Sequence, residues 1–484
     1  MSKTLKSQAI HGLSWSLADK LINQLGSLAV TIYLARLIGP ESFGFIGMLM
    51  IFMLLAESVI SGGFMQALVQ RSKDLTEADS STIFYVNMLW GLVMYVVLYV
   101  SAPFIAAFYR QPVLEDISRI LFLVVIVNSL SIVARAKLTI AIDFKSQTIV
   151  GTIATLLSSS IAIWLAYLDY GYWALVWLIL LKAFFTTVGL WFFCRWLPKL
   201  IFSRDSLKSL LGFGSYLMVA GFVATFVNNL YVALVGRYFS ATNVGYFTQS
   251  VNLTNALSGV ISSTLQGVTY PIMTSVKEDK ERLVSIYKQL ISITMLFSLP
   301  VLVGFAAIAD SFVKLFLGDE WLAAIPLIVA LSLARTITPI SSINMNILNA
   351  VGRSDLFLKV DLSKLPMTLA ALFIAIPFGI EALAWAMVTT SFIAFFINAY
   401  YPYKLFNFGP IKQLKIAFNY ILASGVMYIV VVFVSICSGV LELVLKIAIG
   451  AVAYTLFLWL RKDEFFMKVV GEIVTKMKLR KRFS

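Results

Sequence analysis

Four charged side chains, Lys20, Glu57, Lys182 and Arg335, fall inside long apolar runs of this chain. Each would cost roughly 2.5–3.5 kcal/mol if turned toward lipid at mid-membrane. Four together would cost about 10 kcal/mol, so their placement predicts a wet interior or mutual pairing, not a lipid face. For Lys182 and Arg335, interior ion pairs of purely structural purpose are the plainer alternative. Asp19 lies about 100° around the helix from Lys20, so those two are no natural pair. The chemistry these residues offer is the handling of charge inside a membrane. The chain has no GxxxxGK[ST] phosphate loop, no His–Glu metal motif, and no large loop with paired carboxylates.

Neutral polar residues extend the pattern. The first apolar run carries Ser16, Lys20, Asn23, Gln24, Ser27 and Thr31 at helical spacing, and the second adds Glu57, Ser58, Ser61 and Gln66. Farther on, Thr225, Asn228 and Asn229 mark a seventh run; Gln249, Asn252, Asn255, Ser262 and Gln266 mark an eighth. Hydrogen bonding between helices accounts for any one of these. Matching stripes on two hairpins argue for a polar cavity shared between halves. Arg36 and Arg237 near the outer ends of these hairpins are snorkelling anchors or helix C-terminal charges, or else cations at the cavity's outer mouth.

The elements that must position these groups follow from composition. Of 484 residues, 60% are hydrophobic and 13% charged, against roughly 25% charged in soluble proteins. Apolar runs of about 20 residues recur, each long enough for about 30 Å of hydrocarbon and too long for barrel strands. The sequence predicts an all-α integral membrane protein of about 14 spans. They lie near 11–38, 44–68, 83–108, 114–139, 147–168, 173–195, 210–239, 244–270, 284–308, 322–350, 357–378, 380–401, 414–436 and 440–460. The first hairpin recurs about 201 positions later: Ser14-Trp15 falls on Ser215-Tyr216, Arg36 on Arg237, Gly44-Phe45 on Gly245-Tyr246, and Ser61 on Ser262. Phe144-Lys145-Ser146 has a looser echo in Gly352-Arg353-Ser354.

The expected organisation is a six-helix lobe (1–196), a basic linker (197–209), a second six-helix lobe (210–403), two further helices (404–460) and a basic tail (461–484). An even number of spans per half gives lobes related by a pseudo-two-fold axis along the membrane normal. The net charge of +14 is a topology signal and not a nucleic-acid footprint. With a cytoplasmic N-terminus, roughly 29 of the 38 Lys and Arg fall in cytoplasmic segments and about three in external loops. Both termini are expected in the cytoplasm, with no signal peptide. The tail is expected as a solvated basic end or, as the alternative, lying on an anionic leaflet. Two cysteines, Cys194 and Cys437, provide no disulfide framework or metal site, and His11 is read as an interfacial side chain. Gly62-Gly63, Pro300, Pro339 and Pro366 are expected to break or kink their helices.

The segments GLSW…LARLIGPESFG, SGGFMQALVQRSKDLTEADSSTIFYVN, VTYPIMTSVKEDKERLVSIYKQ, FLGDEWLAAIPLI and ILNAVGRSD resemble the polysaccharide transporter family. This is the Wzx-type branch of the multidrug/oligosaccharidyl-lipid/polysaccharide flippase superfamily. The resemblance runs over nearly the whole chain and implies a flippase, not an enzyme, in the bacterial inner membrane. Its substrate would be an undecaprenyl-pyrophosphate-linked oligosaccharide repeat unit for exopolysaccharide, capsule or O-antigen, moved by alternating access of two lobes. The family's cationic cavity makes Lys20 and Arg335 candidate phosphate or glycan contacts, with Arg36, Arg237, Gln24, Asn228 and Asn255 around them. No cofactor or metal is implied; coupling to a proton or sodium gradient is, with Glu57 and Asp19 as candidate carboxylates. Relatives often carry an Asp in the seventh span, where this chain has Asn228 and Asn229, so no coupling carboxylate carries over there. Expected partners are membrane lipids, a polysaccharide polymerase and a chain-length regulator. A lipid II flippase and a cation-coupled multidrug exporter are the alternatives within the superfamily. A drug exporter would need acidic groups where this interior leans basic. A polymerase or ligase would need a sizeable external loop, and the external loops here are short.

Overall fold

The computed structural model describes residues 3–61, 64–70, 75–434 and 439–472. Within these ranges the side chains of 3–22, 61, 66, 70, 209–217, 220, 224, 227, 228, 263–268, 270, 271, 354 and 358 are not described. By contact the chain divides into two compact units, Met1–Gln249 and Ser250–Ser484. These contact units differ from the repeat-based lobes, whose boundary was placed at 197–209.

Every described regular element is helical, as expected of apolar runs that must satisfy their backbone groups internally. The first unit holds α1 (Lys3–Ser61), α2 (Phe64–Gln70), α3 (Glu77–Tyr109), α4 (Val113–Leu121), α5 (Leu123–Ile140), α6 (Phe144–Tyr167), α7 (Tyr172–Cys194) and α8 (Arg204–Tyr238). Helix α9 (Ala241–Ser275) begins in the first unit and runs into the second. There follow α10 (Lys280–Ala307), α11 (Ala309–Phe312), α12 (Ile325–Arg335), α13 (Thr338–Ala350), α14 (Ser354–Ala375), α15 (Ile380–Asn398), α16 (Tyr400–Phe406), α17 (Pro410–Phe433) and α18 (Val440–Leu460). Among the described residues, eleven stretches are long and apolar enough to cross a membrane. The chain is a multi-pass membrane protein.

Helix α1 is two arms joined at Gly39, whose φ of 70° and ψ of 172° interrupt the helix just ahead of Pro40. A side chain at that φ would be strained, which glycine avoids. The second arm then makes a close approach to α9. A Cβ on Gly44 would stand 1.8 Å from the Ala241 carbonyl oxygen, and one on Gly245 would stand 1.9 Å from that of Pro40. The two contacts are images of each other at the offset of the sequence repeat. Only glycine permits either.

In the first unit α1 packs on α6, α7 and α8, and α5 packs on α3 and α7. In the second, α10 is the central helix, touching α12, α13, α17 and α18. Tyr287, Asn344 and Gln413 are fully buried there and close a hydrogen-bonded ring. The Tyr287 hydroxyl donates to Asn344 Oδ1, Asn344 Nδ2 donates to Gln413 Oε1 at 3.1 Å, and Gln413 Nε2 donates to the Tyr287 oxygen at 3.0 Å. Apolar burial against lipid adds little between helices, so such bonds and close packing set the helix partners.

The prolines behave unequally. Helices α10 and α14 continue through Pro300 and Pro366, whereas the run expected at 322–350 is interrupted between α12 and α13, just before Pro339. Pro300 has no N–H for the carbonyl of Leu296, four residues back. The Tyr454 hydroxyl of α18 donates to that carbonyl instead, at 2.9 Å. Gly62-Gly63 lies outside the described residues.

Candidate functional site

Arg335 is the last residue of α12 and stands at the centre of the apolar stretch Asp319–Ala350. Two local features end the helix there. Pro339 cannot donate to the Arg335 carbonyl, and Thr336 turns back, its hydroxyl donating to the Leu333 carbonyl at 2.6 Å. The negative end of α12 favours a cation at this place. Arg335 Nε is buried without a hydrogen-bond partner, and among the described residues no carboxylate pairs with the guanidinium. A half-buried cation at a helix break, with one nitrogen buried and unbonded, can receive an anion.

A 540 Å³ cavity in the same unit lies among α10, α17 and α18 and is almost wholly apolar, lined by Leu296, Pro300, Met427, Val431, Gly450 and Tyr454 among others. A Cβ on Gly450 would come within 2.9 Å of Val431, so the two helices meet closely. Lys446 is the charged residue on this lining, and it is fully engaged. Its ammonium lies 2.6 Å from Glu442 and donates to Ser311 Oγ at 2.8 Å, while Ser311 donates to Glu442 at 3.0 Å. The sequence reading missed this pair. Its signal was present as the Glu442–Lys446 spacing of four, which brings opposite charges together on one helix face.

In the first unit Glu57, on the second arm of α1, accepts a 2.5 Å hydrogen bond from Asn128 Nδ2 of α5. Arg135, seven residues on and so on the same face of α5, lines a 210 Å³ cavity with Glu57, Asn128 and Ser131. A carboxylate beside an amide donor and a guanidinium in a small polar cavity can exchange a proton or a cation. Neither Asn128 nor Arg135 had been singled out from the sequence. Lys182 of α7 donates to Ser27 Oγ at 2.7 Å, and Ser27 in turn accepts from Thr31 at its carbonyl. Part of the first polar stripe therefore faces α7 within the unit. Among the described residues no carboxylate pairs with Lys182 or with Arg335.

The remaining candidates are dispersed. Arg237 donates to the Phe108 carbonyl at 2.5 Å and lies over the Phe108 ring at 5.2 Å, at the C-terminal end of α3. This is the helix-terminus role. Arg36 is exposed and Gln24 half-buried in the first unit; Asn255 is exposed on α9 in the second. The side chains of Asp19, Lys20 and Asn228 lie outside the described residues.

Residues 33–326 match the family described as polysaccharide biosynthesis protein, a match over more than half of the chain. The chain belongs to this family. It is 23% identical to the succinoglycan biosynthesis transport protein ExoT of Rhizobium meliloti (strain 1021), covering 97% of both chains. It is 24% identical to the teichuronic acid biosynthesis protein TuaB of Bacillus subtilis (strain 168), over 83% of this chain and 85% of that one. The fold is similar to that of the lipid II flippase MurJ in an inward closed conformation, with a TM-score of 0.72 at 14% identity. That similarity covers 95% of this chain and 100% of the other. This member of the polysaccharide biosynthesis family therefore has a fold similar to that of MurJ and relatives named for polysaccharide biosynthesis and transport.

Proposed function

We propose that the chain is a flippase for an undecaprenyl-pyrophosphate-linked oligosaccharide in the bacterial inner membrane, serving exopolysaccharide, capsule or O-antigen synthesis. The observation that carries this reading is Arg335, a half-buried cation at a break in mid-span whose Nε is buried without a hydrogen-bond partner and which no carboxylate pairs with among the described residues. A pyrophosphate or acidic glycan is the kind of group that such a guanidinium holds, through short charge-assisted hydrogen bonds. Lys182 and, by its place in the sequence, Lys20 add to the same charge balance. A cationic drug would meet repulsion from these groups. The 540 Å³ apolar cavity offers room for part of a lipid chain.

On this reading the chain has 14 spans. The long stretch Asn23–Ile60 counts as two because of the Gly39 break, and α8 and α9, of 35 residues each, supply two more. Two six-helix lobes would alternate access, with both termini cytoplasmic and α17–α18 appended. Glu57 is the proposed coupling carboxylate, protonated or cation-bound in one state and engaged by Asn128 in the other. A polymerase and a chain-length regulator of the same glycan would act with it.

The test is transbilayer movement in liposomes containing the purified protein and a labelled polyprenyl-pyrophosphate oligosaccharide, read by a quencher added to one side. Protein-dependent access to the far leaflet is expected, falling about thirtyfold or more in Arg335→Ala, as for truncation of one member of a buried charge contact. Glu57→Gln is expected to remove the response to an imposed proton or sodium gradient while leaving downhill exchange. Unchanged movement by Arg335→Ala would overturn the cationic site. No movement with or without a gradient would overturn the substrate class.

A further inference from the structure

The segment between α7 and α8 is tied down along its length, although it contains no helix or strand. Arg195 leaves α7 in the left-handed region, with φ of 48°. Trp196 Nε1 donates to Glu77 Oε2 at 2.8 Å, and its ring packs edge-on against Phe84 at 6.1 Å and lies 4.6 Å from the Lys137 ammonium. Lys137 also pairs with Glu77 at 3.0 Å. The backbone N–H of Lys199 then donates to Ser81 Oγ at 3.1 Å, and that of Ser203 donates to Thr82 Oγ1 at 3.0 Å. Ser81 and Thr82 are fully buried under the strap. Both lie in the first turns of α3, whose start is itself fixed by a capping box between Thr76 and Asp79.

Fixing the backbone leaves the other side of the strap facing outward. Leu200 is 95% exposed, Leu197 72% and Phe202 56%. Ile201 is exposed as well. These residues lie outside the eleven apolar stretches, so a hydrocarbon-spanning role does not explain them. Alternating with them are the exposed cations Arg195, Lys199, Arg204 and Lys208, with Asp205 the acidic residue among them. Large apolar side chains interleaved with cations, beside the ends of two apolar helices, suit the boundary between acyl chains and charged headgroups.

We infer that the strap 195–203, together with the first residues of α8 to Lys208, is a binding site for anionic phospholipid at the membrane surface, with Leu197, Leu200 and Phe202 inserted at the acyl boundary and the four cations on headgroup phosphates. The strap is built on α3 before it meets lipid, so little ordering is required on contact. Anionic lipid thereby holds the α7–α8 connection against the first unit. This inference does not depend on the transported substrate.

The full chain, with Cys194 and Cys437 changed to Ser, would carry a nitroxide at Leu200→Cys, and a second sample would carry it at the exposed Glu278→Cys. Accessibility to oxygen and to a water-soluble nickel chelate is then measured in nanodiscs of phosphatidylglycerol mixed with phosphatidylcholine. The Leu200 label is expected to be shielded from the chelate and open to oxygen, the reverse of the Glu278 label. Native mass spectrometry of the chain offered equal amounts of the two lipids gives the retained ratio. Arg195, Lys199, Arg204 and Lys208 changed together to Gln should lower the phosphatidylglycerol preference by about fivefold or more, given roughly fivefold per basic residue at an anionic surface. A Leu200 label as open to the chelate as the Glu278 label would overturn the insertion. An unchanged lipid ratio in the four-residue variant would overturn the headgroup assignment.

Discussion

Pro300 and Pro339 deprive their helices of the same bond and produce opposite structures. Each lacks the N–H that would reach a carbonyl four residues back, that of Leu296 in one case and of Arg335 in the other. At Leu296 a hydroxyl from another helix, Tyr454, takes the vacant acceptor, and α10 runs on through Pro300. At Arg335 the chain instead turns through Thr336 and Ile337, and α12 and α13 become separate helices. The first place is a continuous helix whose vacant acceptor is filled by a neutral hydroxyl. The second is a break carrying a half-buried guanidinium that no carboxylate pairs with among the described residues. Proline alone does not make a hinge: α14 also runs on through Pro366, and at Pro300 a neighbouring helix supplies a donor to the vacant acceptor.

Three substitutions would break or sharpen that contrast. The largest effect is expected from Pro339→Ala, which restores the donor and lets α12 continue into α13. Pro339 stands in the first turn of α13, where proline is tolerated, so the gain is well short of the ~3 kcal/mol of a helix interior, and unfolding in detergent should shift only slightly to higher temperature. Transport should fall toward the Arg335→Ala level as the guanidinium is rotated from its place. Raised stability with full transport would mean that the break serves no purpose in function. A smaller effect is expected from Tyr454→Phe, which strips the Leu296 carbonyl of its donor and should cost about 1 kcal/mol by thermal or denaturant unfolding. The smallest comes from Pro300→Ala made on top of Tyr454→Phe, where the restored N–H should recover most of that loss. The double-mutant cycle then shows coupling, and simple additivity would argue against the hydroxyl as the replacement donor.

The contrast also marks what the amino-acid sequence could reveal. Apolar runs located the helices well, because a span is fixed by its own length and composition. Pro339 and Pro300 looked alike in that reading, because the residue that separates them, Tyr454, is more than 100 positions away. Arg335 and Lys182 were visible as charges in apolar runs, yet whether a carboxylate pairs with them, as none does among the described residues, is a property of packing. Glu57 was visible too, but Asn128 and Arg135 are ordinary in their own segment until α5 turns them toward it. Lys446 shows the converse: a charge within a span that does nothing but complete a closed triad with Glu442 and Ser311. Charge in a membrane helix signals a requirement for a partner, and only the fold tells whether the protein supplies it.

The reciprocal approach of Gly44 to Ala241 and Gly245 to Pro40 carries a consequence for how such a chain arises. The two contacts are one contact seen twice, so a half-length ancestor pairing with a copy of itself would have formed both from a single glycine. In a single chain that economy ends. Each copy then drifts on its own, yet a side chain gained at either position clashes with the backbone of the other. Each of the two positions is thereby held to glycine by the backbone it meets.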